Sequence, residues 1–275
     1  MKKIFYACVG LLTTLAIALS GHLIHLYLHP AFNPTEFKRA LVHEVDVPEQ
    51  EVSQIMPVLD QPFTYLGLGK QMTAYESADH KYVLKFFNPR VPVEARTFQS
   101  FKKLMTLCSM KWFSRAYFKR SERLRELFER YAMAFREIRE ETGLVYVHLS
   151  PKSAVDQFVE ICDEDGKSYR INLKDSPFVL QKKAELAGAR LYRLRSEGNE
   201  QGFNEAIRQL EELFAIRASK GITDRIQTLH NNYGFLEGRA IQIDVGRISF
   251  NEKVQADPAE EVDRILAYIR QNSTM

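Results

Sequence analysis

Leu229-His230-Asn231-Asn232-Tyr233-Gly234-Phe235-Leu236-Glu237-Gly238-Arg239-Ala240-Ile241-Gln242-Ile243-Asp244-Val245-Gly246 reads as a β-hairpin. A short strand around Tyr233 to Phe235 enters a tight turn at Leu236 to Arg239, where Gly238 is free to take a positive φ. A second strand follows from Ala240 to Asp244. Ile241, Ile243 and Val245 alternate with Gln242, Asp244 and Gly246, so one face is apolar and the other ends in a carboxylate. An Asn just before the first strand and an Asp-x-Gly closing the second bring two oxygen ligands to the same end of one rigid hairpin. That arrangement suits Mg²⁺, which takes one or two protein oxygens and completes its shell with phosphates and water.

Far upstream, Phe63 to Ser77 reads as strand, glycine-containing turn and strand, with Gly67 and Gly69 in the turn region. A second turn at Ala78 to Lys81 leads to Tyr82-Val83-Leu84-Lys85-Phe86-Phe87. On alternation Lys85 shares a face with Val83 and Phe87, so its stem lies along apolar surface and its ammonium needs an anion. A lone strand lysine is commonly a solvated surface residue, and a G-x-G alone is a common β-meander feature. The glycine turn, Lys85 and the Asn/Asp hairpin carry more information together than apart.

In combination these features resemble the protein-kinase-like fold, the group of protein kinases and aminoglycoside phosphotransferases. In that group a glycine-rich hairpin covers the ATP phosphates, a lysine on the third strand contacts them, and an Asn and a D-x-G Asp hold Mg²⁺. The resemblance covers Phe63 to Phe250. It assigns Gly67 and Gly69 to the loop, Lys85 to the strand lysine, and Asn231 and Asp244 to the metal, with ATP and Mg²⁺ as the implied cofactors. The 13-residue spacing from Asn231 to Asp244 matches the group's hairpin and selects Asn231 over Asn232. Phe178 to Lys183 would carry the adenine, and Gly202 to Ser219 would be the helix before the catalytic loop.

Two departures bear on catalysis. The group's catalytic Asp stands about five residues before the metal Asn, and Ile226 occupies that position here. Asp224 lies seven residues before Asn231, so a two-residue insertion would let it serve as the base. Otherwise the domain is a pseudokinase that binds without catalysing and acts as an interaction module. Only 29 residues follow Gly246, room for one helix at 257 or 258 to 271, and there is no A-P-E motif. A reduced C-lobe is therefore expected, without ordinary peptide docking.

Between the lysine strand and the next, Glu94, Phe98, Phe101, Met105, Cys108 and Trp112 fall on one helical stripe. Seven Lys/Arg and no acid lie between Ala95 and Ser121, which offers a surface for anionic lipid or a protein partner; a helix packed on the sheet with solvated lysines is the plainer reading. A second helix is expected from Glu122 to Glu141, burying Leu124, Leu127, Phe128, Tyr131, Phe135 and Ile138. The strand lysine of the group pairs with a glutamate on the following helix. Glu126 and Glu129 project away from the apolar stripe, whereas Glu94 lies on one, so Glu94 is the candidate partner.

The segment Ile4 to Gly21 carries no charged side chain, and none appears after Lys3 until Glu36. Residues 4–28 are long enough to span a bilayer as an N-terminal anchor. A cleaved signal peptide ending at Ala18-Leu19-Ser20, giving a secreted product, and a buried helix are the alternatives. Lys2 and Lys3 favour a cytoplasmic N-terminus, and Lys38-Arg39 weigh against it.

The net charge of +3 implies no nucleic-acid partner, and three cysteines make no metal-ligand or disulfide pattern. A hairpin with an Asp-Gly turn is expected within Val155 to Leu173, and helices at Ala184 to Arg195 and Ile207 to Arg217. His230 reads as a hydrogen-bonded structural histidine sooner than a ligand. The expected architecture is α+β: anchor 1–29, linker 30–62, an antiparallel N-lobe-like sheet with a long helical insert at 63–183, and a reduced helical C-lobe at 184–275.

Overall fold

The computed structural model describes residues 50–272 apart from 51, 70, 88–110, 151–154 and 225–228, and all of these belong to the compact unit Thr35–Met275. Along the chain a 3-10 turn at Val52–Gln54 precedes α1 (Met56–Leu59), and β1 (Phe63–Leu68), β2 (Met72–Ser77) and β3 (Tyr82–Phe87) form a meander. Next come α2 (Lys111–Glu137), α3 (Arg139–Thr142), β4 (Leu144–His148), β5 (Phe158–Cys162), β6 (Ser168–Asn172), β7 (Phe178–Lys182) and β8 (Glu185–Leu186). The chain closes with α4 (Ala187–Ser196), α5 (Glu200–Ser219), β9 (Ile222–Asp224), α6 (Leu229–Asn232), β10 (Tyr233–Leu236), β11 (Arg239–Gln242), β12 (Ile248–Phe250), α7 (Glu252–Ala256) and α8 (Pro258–Asn272).

The fold is α+β. Seven strands form one mixed sheet in the order β4-β7-β3-β2-β1-β5-β6, antiparallel except where β5 runs parallel to β1. β3 and β7, both interior to the sheet, are buried along almost their whole length, as expected of strands covered on both faces. The short pair β9–β12 and the three-stranded sheet β11-β10-β8 lie outside this sheet.

On one face α2 supplies the cover. Leu124, Leu127, Phe128, Tyr131, Phe135 and Ile138 recur at helical spacing and are buried. Phe87 of β3 receives Phe128 at a ring-centroid distance of 4.6 Å and Tyr131 at 5.7 Å with the rings nearly perpendicular. The helix is continuous from Lys111 through Ser121 to Glu137, so the expected helix start at Glu122 falls in mid-helix. Nothing in the residues at that point breaks a helix, since neither Gly nor Pro interrupts Lys111 to Glu137.

The expectation that packing starts near Phe63 is corrected. Ile55 and Leu59 are each 1% exposed, and the Gln50 amide exchanges two 3.0 Å hydrogen bonds with the backbone of Val147 on edge strand β4. Ile55 and Leu59 therefore belong to the core, where burial of their apolar side chains is favourable. The prolines around them disguised this in the sequence.

Helix α5 packs on α8 and on the hairpin, burying Leu210, Leu213, Phe214, Tyr233, Phe235 and Ile265 together. Among the described residues no helix is long and apolar enough to cross a membrane; the segment 4–28 and the basic run before Lys111 lie outside them.

Candidate functional site

The hairpin forms, but its second strand ends at Gln242 instead of Asp244, so Asp244 lies in the segment just past the strand. Tyr233 pairs with Gln242 and Leu236 with Arg239, and Glu237 and Gly238 both take positive φ (50° and 78°) in a two-residue turn whose twist matches the strands. The pairing stops at Tyr233 and Gln242, and Asn231 sits in the helical turn α6, where it is exposed. The Asn232 carbonyl accepts from the amides of Ile243 (2.7 Å) and Asp244 (3.3 Å), which ties α6 to the Asp-x-Gly segment.

The segment Ile243 to Gly246 is held at every carbonyl. Lys85 Nζ donates to the Ile243 carbonyl at 3.0 Å, and Gln181 Nε2 donates to the same oxygen at 3.3 Å and to that of Thr142 at 2.6 Å. Gln242 Nε2 donates to the Asp244 carbonyl at 3.0 Å, and the Ile248 amide donates to that of Val245 at 3.3 Å. The Gly246 carbonyl accepts from Arg130 Nη1 at 2.7 Å and from Gln71 Nε2 at 3.4 Å. Its amide donates to Asp244 Oδ1 at 2.8 Å. Asp244 is therefore a half-buried carboxylate with one oxygen fixed by the backbone and the other not engaged by any of these groups.

Lys85 is 9% exposed. Burial pushes its ammonium down to about 8, against the pull of the Asp244 carboxylate, which favours the charged form. Tyr131 reaches the same place from α2: burial and then the Asp244 carboxylate raise its phenol well above the ordinary range. An ammonium whose hydrogen-bond partner is a neutral carbonyl, close to a partly open carboxylate, attracts further negative charge. A phosphate beside it would restore full ionisation.

The other sequence candidates are distributed as follows. Gly67 lies on β1 and Gly69 in the β1–β2 loop, where the Gly69 amide donates to the Met72 carbonyl at 2.8 Å. The loop tip reaches the site through Gln71. Glu94 falls outside the described residues. Glu126 pairs with Arg130 at 3.0 Å and Glu129 with Arg125 at 3.5 Å along α2. His230 is exposed and sits so close to Gly188 that a Cβ there would come within 2.7 Å of Nδ1.

Asp224 is 1% exposed and lies at the end of β9, opposite Ile248. Its Oδ2 accepts from Gln242 Nε2 at 2.8 Å, and Gln242 Oε1 in turn accepts from Arg217 Nη1 at 3.0 Å. The same Nη1 donates to the Tyr233 hydroxyl at 2.9 Å. Next to Asp224, Thr223 donates to Glu261 of α8, which Arg264 also binds. The candidate base thus belongs to a buried polar network that joins α5, the hairpin, β9 and α8.

Gln71, Arg130, Gln181 and Gln242 were not legible as site residues. Gln181 and Gln242 carried a signal, a lone amide inside an apolar strand, which demands an internal partner. Among the described residues no cluster of three or more His, Cys, Asp or Glu could hold a metal ion by itself. No protein-family model and no curated protein sequence matches this chain.

Proposed function

We infer that this protein is a kinase-like nucleotide-binding domain that takes ATP with Mg²⁺, carried toward a membrane by residues 4–28. The observation that supports it is the Lys85 contact: a buried lysine on the third strand joined to the carbonyl before Asp244, 158 positions away in sequence. Lys85 would meet the phosphates, Asp244 and Asn231 would hold the metal, and the loop with Gly67 and Gly69 would cover them. Bound Mg²⁺ would neutralise phosphate charge.

A specific observation favours binding without phosphoryl transfer. Asp224 is 1% exposed and spends an oxygen on Gln242, so it does not present a carboxylate to an acceptor hydroxyl. The pseudokinase reading is therefore preferred over the phosphotransferase one.

The test is the melting temperature of the full-length chain with ATP, with and without Mg²⁺. At a hundred times its Kd the ligand stabilises by about 2.7 kcal/mol, a rise of a few degrees. Lys85→Ala and Asp244→Ala should abolish the Mg²⁺-dependent rise, and no phosphorylated product should form. A wild-type chain that melts identically with and without nucleotide would sink the reading, and turnover lost in Asp224→Asn would restore the phosphotransferase.

A further inference from the structure

Gly246 is held at its amide and at its carbonyl, which belong to consecutive peptide units, and the groups that hold its carbonyl come from outside the hairpin. Arg130 reaches it from α2 across 116 positions of sequence, and Gln71 from the β1–β2 loop across 175. The Gly246 amide meanwhile holds Asp244 Oδ1. Gly246 does not take a positive φ, so its backbone needs no glycine, and Gln71 packs directly over its Cα. A Cβ at this position would lie 1.9 Å from Gln71 Oε1. Arg130 is itself oriented by Glu126 one turn earlier, and its side chain is only 19% exposed.

We propose that Arg130 is a positioning residue for Asp244, fixing the metal-facing carboxylate through Gly246 and so coupling the long helix α2 to Mg²⁺ affinity. This rests on the nucleotide-binding reading above. The chain of contacts is short: guanidinium to carbonyl, then amide to carboxylate. Releasing the carbonyl frees the Gly246–Arg247 peptide to turn, and the movement reaches Asp244 Oδ1 through the Gly246 Cα, which that peptide shares with the Val245–Gly246 peptide whose amide is the donor. Lys85 grips a different carbonyl, that of Ile243, so contact with the phosphates does not pass through Arg130.

The experiment titrates MgCl₂ against the ATP-induced rise in melting temperature of the full-length chain, comparing wild type, Arg130→Ala, Arg130→Lys and Gln71→Ala. Arg130→Ala should raise the Mg²⁺ midpoint about tenfold, an ordinary coupling between two parts of one protein. The response to Mg²⁺-free ATP should change less than twofold, and Arg130→Lys should recover part of the loss. A merely structural arginine would lower the melting temperature without moving the midpoint. If wild type responds and Arg130→Ala keeps the same midpoint, the proposal is overturned while the nucleotide site stands. If Arg130→Ala does not fold, Gln71→Ala decides, since it removes the other donor: a raised midpoint supports the proposal and an unchanged one overturns it. A wild type that gives no response to ATP under any Mg²⁺ concentration overturns both.

Discussion

The layer between α2 and the seven-stranded sheet and the layer beneath the β10–β11 hairpin are both buried and both apolar, but only the second has a network of charged and amide side chains inside it. Phe87, Phe128, Tyr131 and Phe135 fill the first by ring contact, where hydrophobic area does the stabilising. The second contains Arg217 at 1% exposure, Asp224 at 1% and Gln242 at 0%, joined by directed hydrogen bonds. Nε and Nη2 of Arg217 find no hydrogen-bond acceptor among the described residues. Apolar contacts tolerate small shifts of their members; a network of amides and charges fixes each one in a single geometry, at the cost of desolvation. The candidate site lies where the two layers meet, with Lys85 and Tyr131 coming from the first and Asp244 from the second.

Substitutions on each side should separate these behaviours. Phe87→Ala removes the ring that Phe128 and Tyr131 share and should cost about 4 kcal/mol in urea unfolding, with little change between pH 5 and 8. Arg217→Met should cost about 3 kcal/mol, because the Gln242 and Tyr233 oxygens lose their donor and Asp224 loses a nearby cation. A negligible cost would show that the network is not a stabilising unit.

Lys85→Met should go the other way. Burial holds the ammonium down to about 8, so at neutral pH the folded state bears the cost of a buried charge. The unfolded chain keeps that proton to higher pH, so stability rises with pH from about 8 toward the ordinary lysine value. Removing the amine should stabilise the unliganded protein at pH 7 by on the order of 2 kcal/mol and abolish this rise. In the wild type, nucleotide affinity should fall by up to about tenfold per pH unit above 8, since phosphate binds the charged form.

Glu261 gives the smallest effect. Burial works against its ionisation, but hydrogen bonds from Arg264 and Thr223 win and hold it below the usual carboxylate range. Its contribution is present above the unfolded glutamate value and is lost as pH falls through the lower folded one. Glu261→Gln should cost about 1 kcal/mol at pH 7 and reduce the acid-induced loss of stability, measured by urea midpoints between pH 7 and 3.

The legible parts of this molecule were those with local periodicity. The hairpin, its Gly238 turn, the apolar face of Lys85 and the stripe from Leu124 to Ile138 all follow from spacing within a dozen residues. Lys85 stood out because it is a lone charge inside an apolar strand, and Asp244 because it follows the alternating hairpin strand by two residues. What escaped was set by contacts between distant segments. Arg130 looks like an ordinary helix arginine paired with Glu126, and only the fold delivers its second amino group to Gly246. Arg217 stood on the apolar stripe of α5, a warning that its charge was buried, but its partners lie on strands 16 and 25 residues further on. Asp224 looked like a base from its distance to Asn231. Its burial depends on β9 pairing with β12, which no spacing encodes.

Gln50 has a meaning beyond packing. Edge strands invite pairing with strands from other molecules, and β4 is one edge of the large sheet. The Gln50 amide gives Val147 both an acceptor for its N–H and a donor for its carbonyl, the two bonds that an incoming strand would otherwise form. With Arg139 taking the Val145 carbonyl at 2.8 Å and that of Leu144 at 3.2 Å, side chains from two segments occupy bonds on this strand that an incoming strand would compete for.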